Sequence, residues 1–230
     1  MQLWRNWRRS GFLFVTYQSF NLVYYHIAIH VGDLLHIIFG RPKKVYSLRQ
    51  LAKKYNVPYI KSNDVRESRF VKAIKEANPD LIISFYFDHI IRQNIIEIPS
   101  MGIINVHTAP LPMCKGPFPI LCSVIKDLKG VVSIHKVENE TLDSGALCTQ
   151  EPYNLDYNRS ILYHDRESMI QGALMILELI SQTEKTGEIP FAKKQEGSGS
   201  YMSFPTKSEV ESLRKKGVRL FRLSDFTKAF

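Results

Sequence analysis

The chain has 230 residues, 44% of them hydrophobic and 23% charged, which is enough to bury a core and excludes a disordered polymer. Its formal net charge of +9 suits RNA, a membrane surface or an anionic substrate, although charge speaks to solubility and nonspecific binding rather than to fold. The three cysteines, Cys114, Cys122 and Cys148, are odd in number, lack zinc-site spacing and follow no signal peptide, so free thiols in a reducing, cytoplasmic compartment are expected.

The start of the chain carries Trp4 and Trp7 among Arg5, Arg8 and Arg9. From Gly11 to Gly32 there is no Asp, Glu, Lys or Arg. A run of ~20 residues can cross a bilayer. Here Thr16, Gln18, Ser19, Asn21, His26 and His30 interrupt it. The pattern favours a helix laid on the core, or one at a membrane interface behind a Trp/Arg anchor, over a true span. Gly40-Arg-Pro-Lys-Lys44 then breaks the pattern with a positive cluster.

Ser47 is placed to cap a short helix over Leu48–Tyr55. Val57–Ile60 reads as a short strand, and Ser62-Asn-Asp64 as the start of a second helix with Phe70, Val71, Ile74 and Ala77 on one face. Asn78-Pro79 ends that helix. Asp80–Tyr86 is an apolar run of the kind found in a strand covered on both faces. A loop or short helix leads to a strand at Met101–Val106, then helical spacing over Pro117–Leu128 and a strand at Gly130–Lys136. An acidic loop, Glu138–Gly145, precedes a short strand at Ala146–Gln150 and a long helix at Ser160–Thr183. Gly197-Ser-Gly-Ser200 reads as a flexible break, and Thr206-Lys-Ser-Glu209 has the spacing of a capping box opening a last helix. The charged tail after it reads as surface. Helices alternating with strands imply an α/β fold, Rossmann-like, with a mostly parallel sheet flanked by helices. The segments divide as an apolar helical part at 1–44, a catalytic domain at 45–190 and a basic extension at 191–230.

The most informative stretch is Gly102-Ile-Ile-Asn-Val-His-Thr-Ala-Pro-Leu-Pro112, closing at Gly116. In a strand, residues two apart share a face, so Asn105 and His107 look out together. Pro110 and Pro112 force the chain out of the sheet just beyond them. The pair thus sits at a strand's carboxyl end, where open sheets place ligands. Asp143, in Leu142-Asp-Ser-Gly145, can reach His107 if the two strands are neighbours. A carboxylate beside an imidazole raises its pKa and orients it for proton transfer. An amide N–H is a donor to an oxyanion. Together the three suit acyl transfer to an amine, with no Ser or Cys nucleophile. Taken alone, His107 reads equally as a histidine tying down a turn. A metal site from His89, His107, His135 and Cys114 lacks ligand spacing, and none is expected.

Asn-Val-His-Thr-Ala-Pro-Leu-Pro, then Gly116, then Leu-Asp-Ser-Gly resembles the formyltransferases that use 10-formyltetrahydrofolate, a family acting on methionyl-tRNA, glycinamide ribonucleotide or amino sugars. The resemblance covers about Leu48 to Thr183 and implies the formyltransferase fold. It implies that Asn105 stabilises the oxyanion, His107 handles the proton, and Asp143 holds His107 and an ordered water. It implies a folate site between Phe87, Asp88, His89, Ile90 and Ile91 on one side and Val137, Glu138, Asn139, Glu140, Thr141 and Leu142 on the other. His89 admits a surface role as readily as a ligand role. Thr108, Pro110, Leu111, Pro112 and Gly116 form the implied substrate loop. An amino sugar, nucleotide-linked and anionic, is the favoured acceptor. The stretch after residue 190 is short for the barrel domain of the tRNA enzymes, which ranks methionyl-tRNA lower. The third alternative is a non-catalytic protein that binds folate or, through residues 4–39, a membrane surface. A homodimer is compatible with each.

Overall fold

The sheet has four strands in the order β1-β2-β3-β4: β1 at Ile82–Ser84, β2 at Ile103–His107, β3 at Gly130–Lys136 and β4 at Leu147–Tyr153. The structure is a computed structural model and describes residues 2–40, 42, 46–190 and 193–225. Arg41, Lys43, Lys44, the side chains of Trp4, Arg5 and Trp7, and the tail from residue 226 lie outside the described residues. The α/β architecture is as expected, but the sheet is mixed. β1 runs parallel to β2, whereas β2–β3 and β3–β4 are antiparallel. Helical periodicity locates the elements without fixing their direction, and the α5 connection, Pro119–Ile125, returns the chain reversed.

Alternation along β2 sorts its side chains. Ile104 and Val106 join Val132 and Ile134 of β3 beneath Met175, Ile176 and Leu179 of helix α6, Ile161–Thr186. Gly172 allows this close approach, since a Cβ there would stand 2.5 Å from Val106 Cγ1. Ile103 faces the other way, into a cluster with Val71 of α3 (Ser68–Ala77) and Ile95 of α4 (Gln93–Ile96). Asn105 and His107 share the face of Ile103, by the period of two.

The first helix, α1, runs from Gln2 to Phe39 with a break at Gly11, whose φ of 83° and ψ of 165° are not helical. Phe14 and Tyr17 of α1 enter a core with Ile120, Leu121, Val210 and Leu213. Phe14 meets the rings of Phe118 and Phe204 at 5.2 and 6.5 Å. Tyr17 donates to Asp165 Oδ2 at 2.9 Å. This is the core-packing alternative for the apolar run, and among the described residues no helix is long and apolar enough to cross a membrane.

The expected cap at Ser47 forms, and as a full capping box with Gln50; the expected capping box at Thr206 forms as well. Ser47 and Gln50 open α2, Leu48–Lys54, and Thr206 and Glu209 open α7, Lys207–Lys215. Several boundaries differ from expectation, β4 for instance running to Tyr153 rather than ending at Gln150. Val57–Ile60 is not a strand. Ser62–Asp64 does not start α3; Ser62 Oγ and the Asp64 carboxylate bond nearby backbone groups instead, holding a turn ahead of the helix. β1 is shorter than the apolar run because Tyr86 takes a left-handed φ of 51°. A further correction concerns the thiols: Cys114 and Cys122 are joined in a disulfide, and Cys148 alone is free. Eight residues apart, they gave no recognisable spacing; the turn at Cys114 brings their Cα atoms to 5.6 Å.

Candidate active site

Asn105 and His107 stand at the carboxyl end of β2, and β3 brings a second histidine to them. Asn105 is paired directly with His135, and His107 with Ser133, in the antiparallel register. Directly opposed residues share a face. Asn105 Nδ2 accordingly lies 3.1 Å from His135 Nε2. His135 Nδ1 is 2.8 Å from the Lys136 carbonyl, to which it donates. In the neutral ring Nε2 then accepts one N–H of the Asn105 amide. The second N–H of that amide is left to bond elsewhere.

Asp143 arrives from the loop between β3 and β4. Its Oδ1 is 3.6 Å from His107 Nδ1 and 3.4 Å from His135 Nε2, and its Oδ2 accepts the Gly116 N–H at 2.8 Å. The expected convergence of Asn105, His107 and Asp143 is therefore present, with His135 as a fourth member. His135 entered the sequence reading only as an unsuitable metal ligand, because cross-strand pairing has no mark in linear spacing. The turn carrying Asp143 passes so close to β3 that a Cβ on Gly145 would stand 1.8 Å from the Lys136 carbonyl oxygen.

His107 is buried, and its Nε2 lies 2.9 Å from the Cys114 carbonyl. A carbonyl only accepts, so Nε2 carries the hydrogen and Nδ1 presents its lone pair toward Asp143. Burial lowers the pKa of His107 against the opposing pull of Asp143 and the Cys114 carbonyl, while His135 and Lys115 add to the lowering. The ring is thus a neutral base at pH 7. For Asp143, burial works to raise the pKa, but once the two rings are protonated, hydrogen bonding from His135 and the charge of His107, with the Gly116 N–H, outweigh it and hold the carboxyl at about 2. A neutral base facing a fixed anion can accept a proton and be stabilised as the imidazolium.

Beside this group lies a cavity of about 70 Å³ lined by the two loops singled out in the sequence. Phe87, His89, Ile90 and Ile91 contribute from one side, and Val137, Asn139, Glu140, Thr141 and Leu142 from the other, with Asn105, His135 and Asp143 at the inner end. Arg92 Nη1 bonds Glu140 Oε2 at 2.5 Å, and the Gln93 N–H bonds its Oε1 at 3.1 Å, tying the two rims together. Asp88 and Glu138 are not in the lining. Asp88 has a side chain 90% exposed beside His89, and Glu138 accepts the Ala146 N–H. In the 108–116 loop, Thr108 and Leu111 are buried. Leu111 accepts from Gln150, and Pro112 from the Ser200 N–H. These residues anchor the loop, and Gly116 holds Asp143.

An α/β sheet thus gathers an amide, an imidazole and a carboxylate at one strand end, a set of groups that can serve acyl transfer. Over residues 31–163 the chain matches the Formyl transferase family, and it belongs to that family. The methionyl-tRNA formyltransferase of Clostridioides difficile is 32% identical over 174 residues, covering 74% of this chain and 55% of that protein. The enzyme of the same name from Fusobacterium nucleatum is 32% identical over 161 residues, 68% of this chain and 51% of that protein. The chain thus spans about half the length of the curated relatives it matches. Among solved structures, the formyltransferase PseJ from Anoxybacillus kamchatkensis, in complex with UDP-4,6-dideoxy-4-formamido-L-AltNAc and tetrahydrofolate, has a TM-score of 0.54 at 23% identity, covering 76% of this chain and 94% of that one. The N-formyltransferase from Helicobacter canadensis, in complex with folinic acid and dTDP-3-aminofucose, has a TM-score of 0.57 at 18% identity, covering 81% and 71%. At these identities the structural likeness shows the fold.

Proposed function

We propose that this chain carries the catalytic site of an N-formyltransferase that uses 10-formyltetrahydrofolate and acts on the amine of a nucleotide-linked amino sugar. The observation that carries this reading is the meeting of Asn105, His107 and Asp143 at the inner end of the cleft. The exposed apolar lining, Phe87, Ile90 and Leu142, suits a flat heterocycle, and the inner end is polar. A cavity of about 70 Å³ is small for a fused ring, so the rims tied by Arg92 and Glu140 must part to admit one. The folate, when bound, supplies a one-carbon acyl group. Asn105 uses its free N–H to stabilise negative charge on the acyl oxygen. His107 would take the proton of the attacking amine at Nδ1, with Asp143 stabilising the imidazolium, and would return it to the folate nitrogen as its bond to the formyl carbon breaks and tetrahydrofolate leaves.

The basic surface suits the phosphates of a sugar nucleotide, as it would a tRNA. The choice is tested with 10-formyltetrahydrofolate and a panel of nucleotide-linked amino sugars beside methionyl-tRNA. A formamide on a sugar nucleotide is the expected product. Formylation of tRNA alone, lost as salt rises, moves the acceptor to RNA. No turnover with any acceptor, together with no thermal stabilisation by a folate analogue, overturns the reading.

A membrane-surface role through α1 has its own support. Phe12, Ile27, Leu34, Ile37 and Phe39 are exposed, and Arg8 and Arg9 lie at one end. Sedimentation with anionic vesicles, abolished by Ile37→Asp, is the outcome that supports it.

A further inference from the structure

The segment that reads as a flexible break, Gly197–Ser200, and the Gln195 just before it are fastened at both ends of the site. Gln195 Nε2 donates to the carbonyls of Asp143 at 2.9 Å and Gly145 at 2.7 Å. Two carbonyls fix the amide's orientation, because the opposite one would set oxygen against oxygen. Gln195 Oε1 is buried and has no hydrogen-bond partner among the described residues. Such a cost needs a compensating reason. The turn it grips holds Asp143 at a left-handed φ of 49°, which a non-glycine residue keeps only when its surroundings impose it.

Five residues on, the same segment grips the other arm. The Cys114 N–H bonds Ser200 Oγ at 3.0 Å, and the Lys115 N–H bonds the Ser200 carbonyl at 2.8 Å. The Ser200 and Met202 N–H groups return bonds to Pro112 and Lys115 at 3.1 and 2.8 Å. The backbones approach so closely that a Cβ on Gly199 would lie 2.6 Å from the Pro112 oxygen. This arm carries the Cys114 carbonyl that holds His107 and the Gly116 N–H that holds Asp143. The segment therefore bonds neither the imidazole nor the carboxylate, yet it sets the partners of both.

We propose that Gln195 and Ser200 are positioning residues, which hold the two loops that fix His107 and Asp143 against one another. This rests on the formyl-transfer reading for its kinetic consequence, and on geometry alone for its effect on His107. Misplacing a reacting group by about 1 Å costs on the order of 100-fold in rate.

The experiment compares wild type with Gln195→Ala, Gln195→Glu and Ser200→Ala by NMR titration of the His107 ring and by steady-state kinetics on the acceptor found above. Glutamate matches the size of Gln195 but cannot donate to two carbonyls when ionised. In both Gln195 variants Asp143 moves off, and His107 loses its carboxylate neighbour and titrates lower than in wild type. The kcat falls about 10- to 100-fold with KM changed less than about threefold. Ser200→Ala, which keeps the backbone bonds, gives the same changes in smaller measure and serves should the Gln195 variants not fold. Folded variants with unchanged His107 titration and unchanged kcat overturn the proposal. A wild type without turnover whose variants still shift His107 would remove the formyl-transfer reading and leave the positioning role standing. Turnover in wild type with no such shift removes the positioning role alone.

Discussion

His107 and Asp143 face one another at 3.6 Å with no proton between them in the neutral site, because the imidazole hydrogen sits on the opposite nitrogen, bonded to the Cys114 carbonyl. The gap closes electrostatically only when Nδ1 gains a proton. The carboxylate is therefore spent on the charged form of the ring, which is the form that follows proton transfer. An interaction stronger after the transfer than before it lowers the barrier.

Replacing His107 by Ala should lower turnover by about 100- to 10,000-fold, the usual worth of a positioned acid–base group. Asn105→Ala should cost about 100- to 1,000-fold through the lost oxyanion donor. Both are read from formamide formation, with circular dichroism reporting the fold. Near-wild-type rates in folded His107→Ala would end the assignment.

Asp165 should make the protein less stable as pH rises from about 4 to 6. Burial raises its carboxyl to about 6 against the opposing pull of the Tyr17 hydroxyl and Arg166. In that window the folded chain holds more protons than the unfolded one, so stability falls as they leave. Asp143 acts oppositely: held at about 2 from an ordinary 3.8, it adds stability above about 4 that is lost as pH falls toward 2. The lowered His107 also loses stability as pH falls below 6.5, so only the difference between variants isolates Asp165. Asp165→Asn keeps an acceptor for Tyr17 and should stabilise the neutral-pH protein by about 1–2 kcal/mol, allowing for partial exposure. Urea unfolding at pH 4.5 and 7.5 measures it; equal midpoint shifts at both would refute it.

Thiol counting tests the disulfide. Unfolded without reductant, the chain should take up one alkyl group, at Cys148, and three after reduction. In the native protein, burial pushes the Cys148 thiol up to about 11 from 9.0, so labelling at pH 8 should be about 100-fold slower than in the unfolded chain. Intact-mass spectra read both. Three groups without reductant would show no bond.

Phe14 fastens α1 to the rest of the molecule through Phe118 and Phe204. Fully buried, it should cost about 3–5 kcal/mol on conversion to Ala. A loss under about 1 kcal/mol in denaturant unfolding would mean α1 is only loosely attached.

What could be read in advance was local. Alternation put Asn105 and His107 on one face, and side-chain chemistry at Ser47 and Thr206 marked helix starts. β3 has the ends its apolar run suggested. What was missed depends on chain segments distant in sequence. Strand direction in β2–β3 follows from how α5 packs, and His135 becomes a site residue only through register. The Gly-Ser composition of 197–200 hid a segment in which Gly199 serves a close backbone contact, while Gly197 supplies a left-handed φ of 91° in open space. Ser62 and Asp64 had the right chemistry for a cap and spent it on a turn.

The pairing of Asn105 with His135 means that the site depends on the phase of two strands. Slide β3 by a single residue along β2 and the second imidazole swings to the α6 side of the sheet, among Met175 and Leu179, leaving the carboxamide with no tether. A substitution far out on either strand, silent in every contact with a ligand, could therefore abolish chemistry by resetting that alignment.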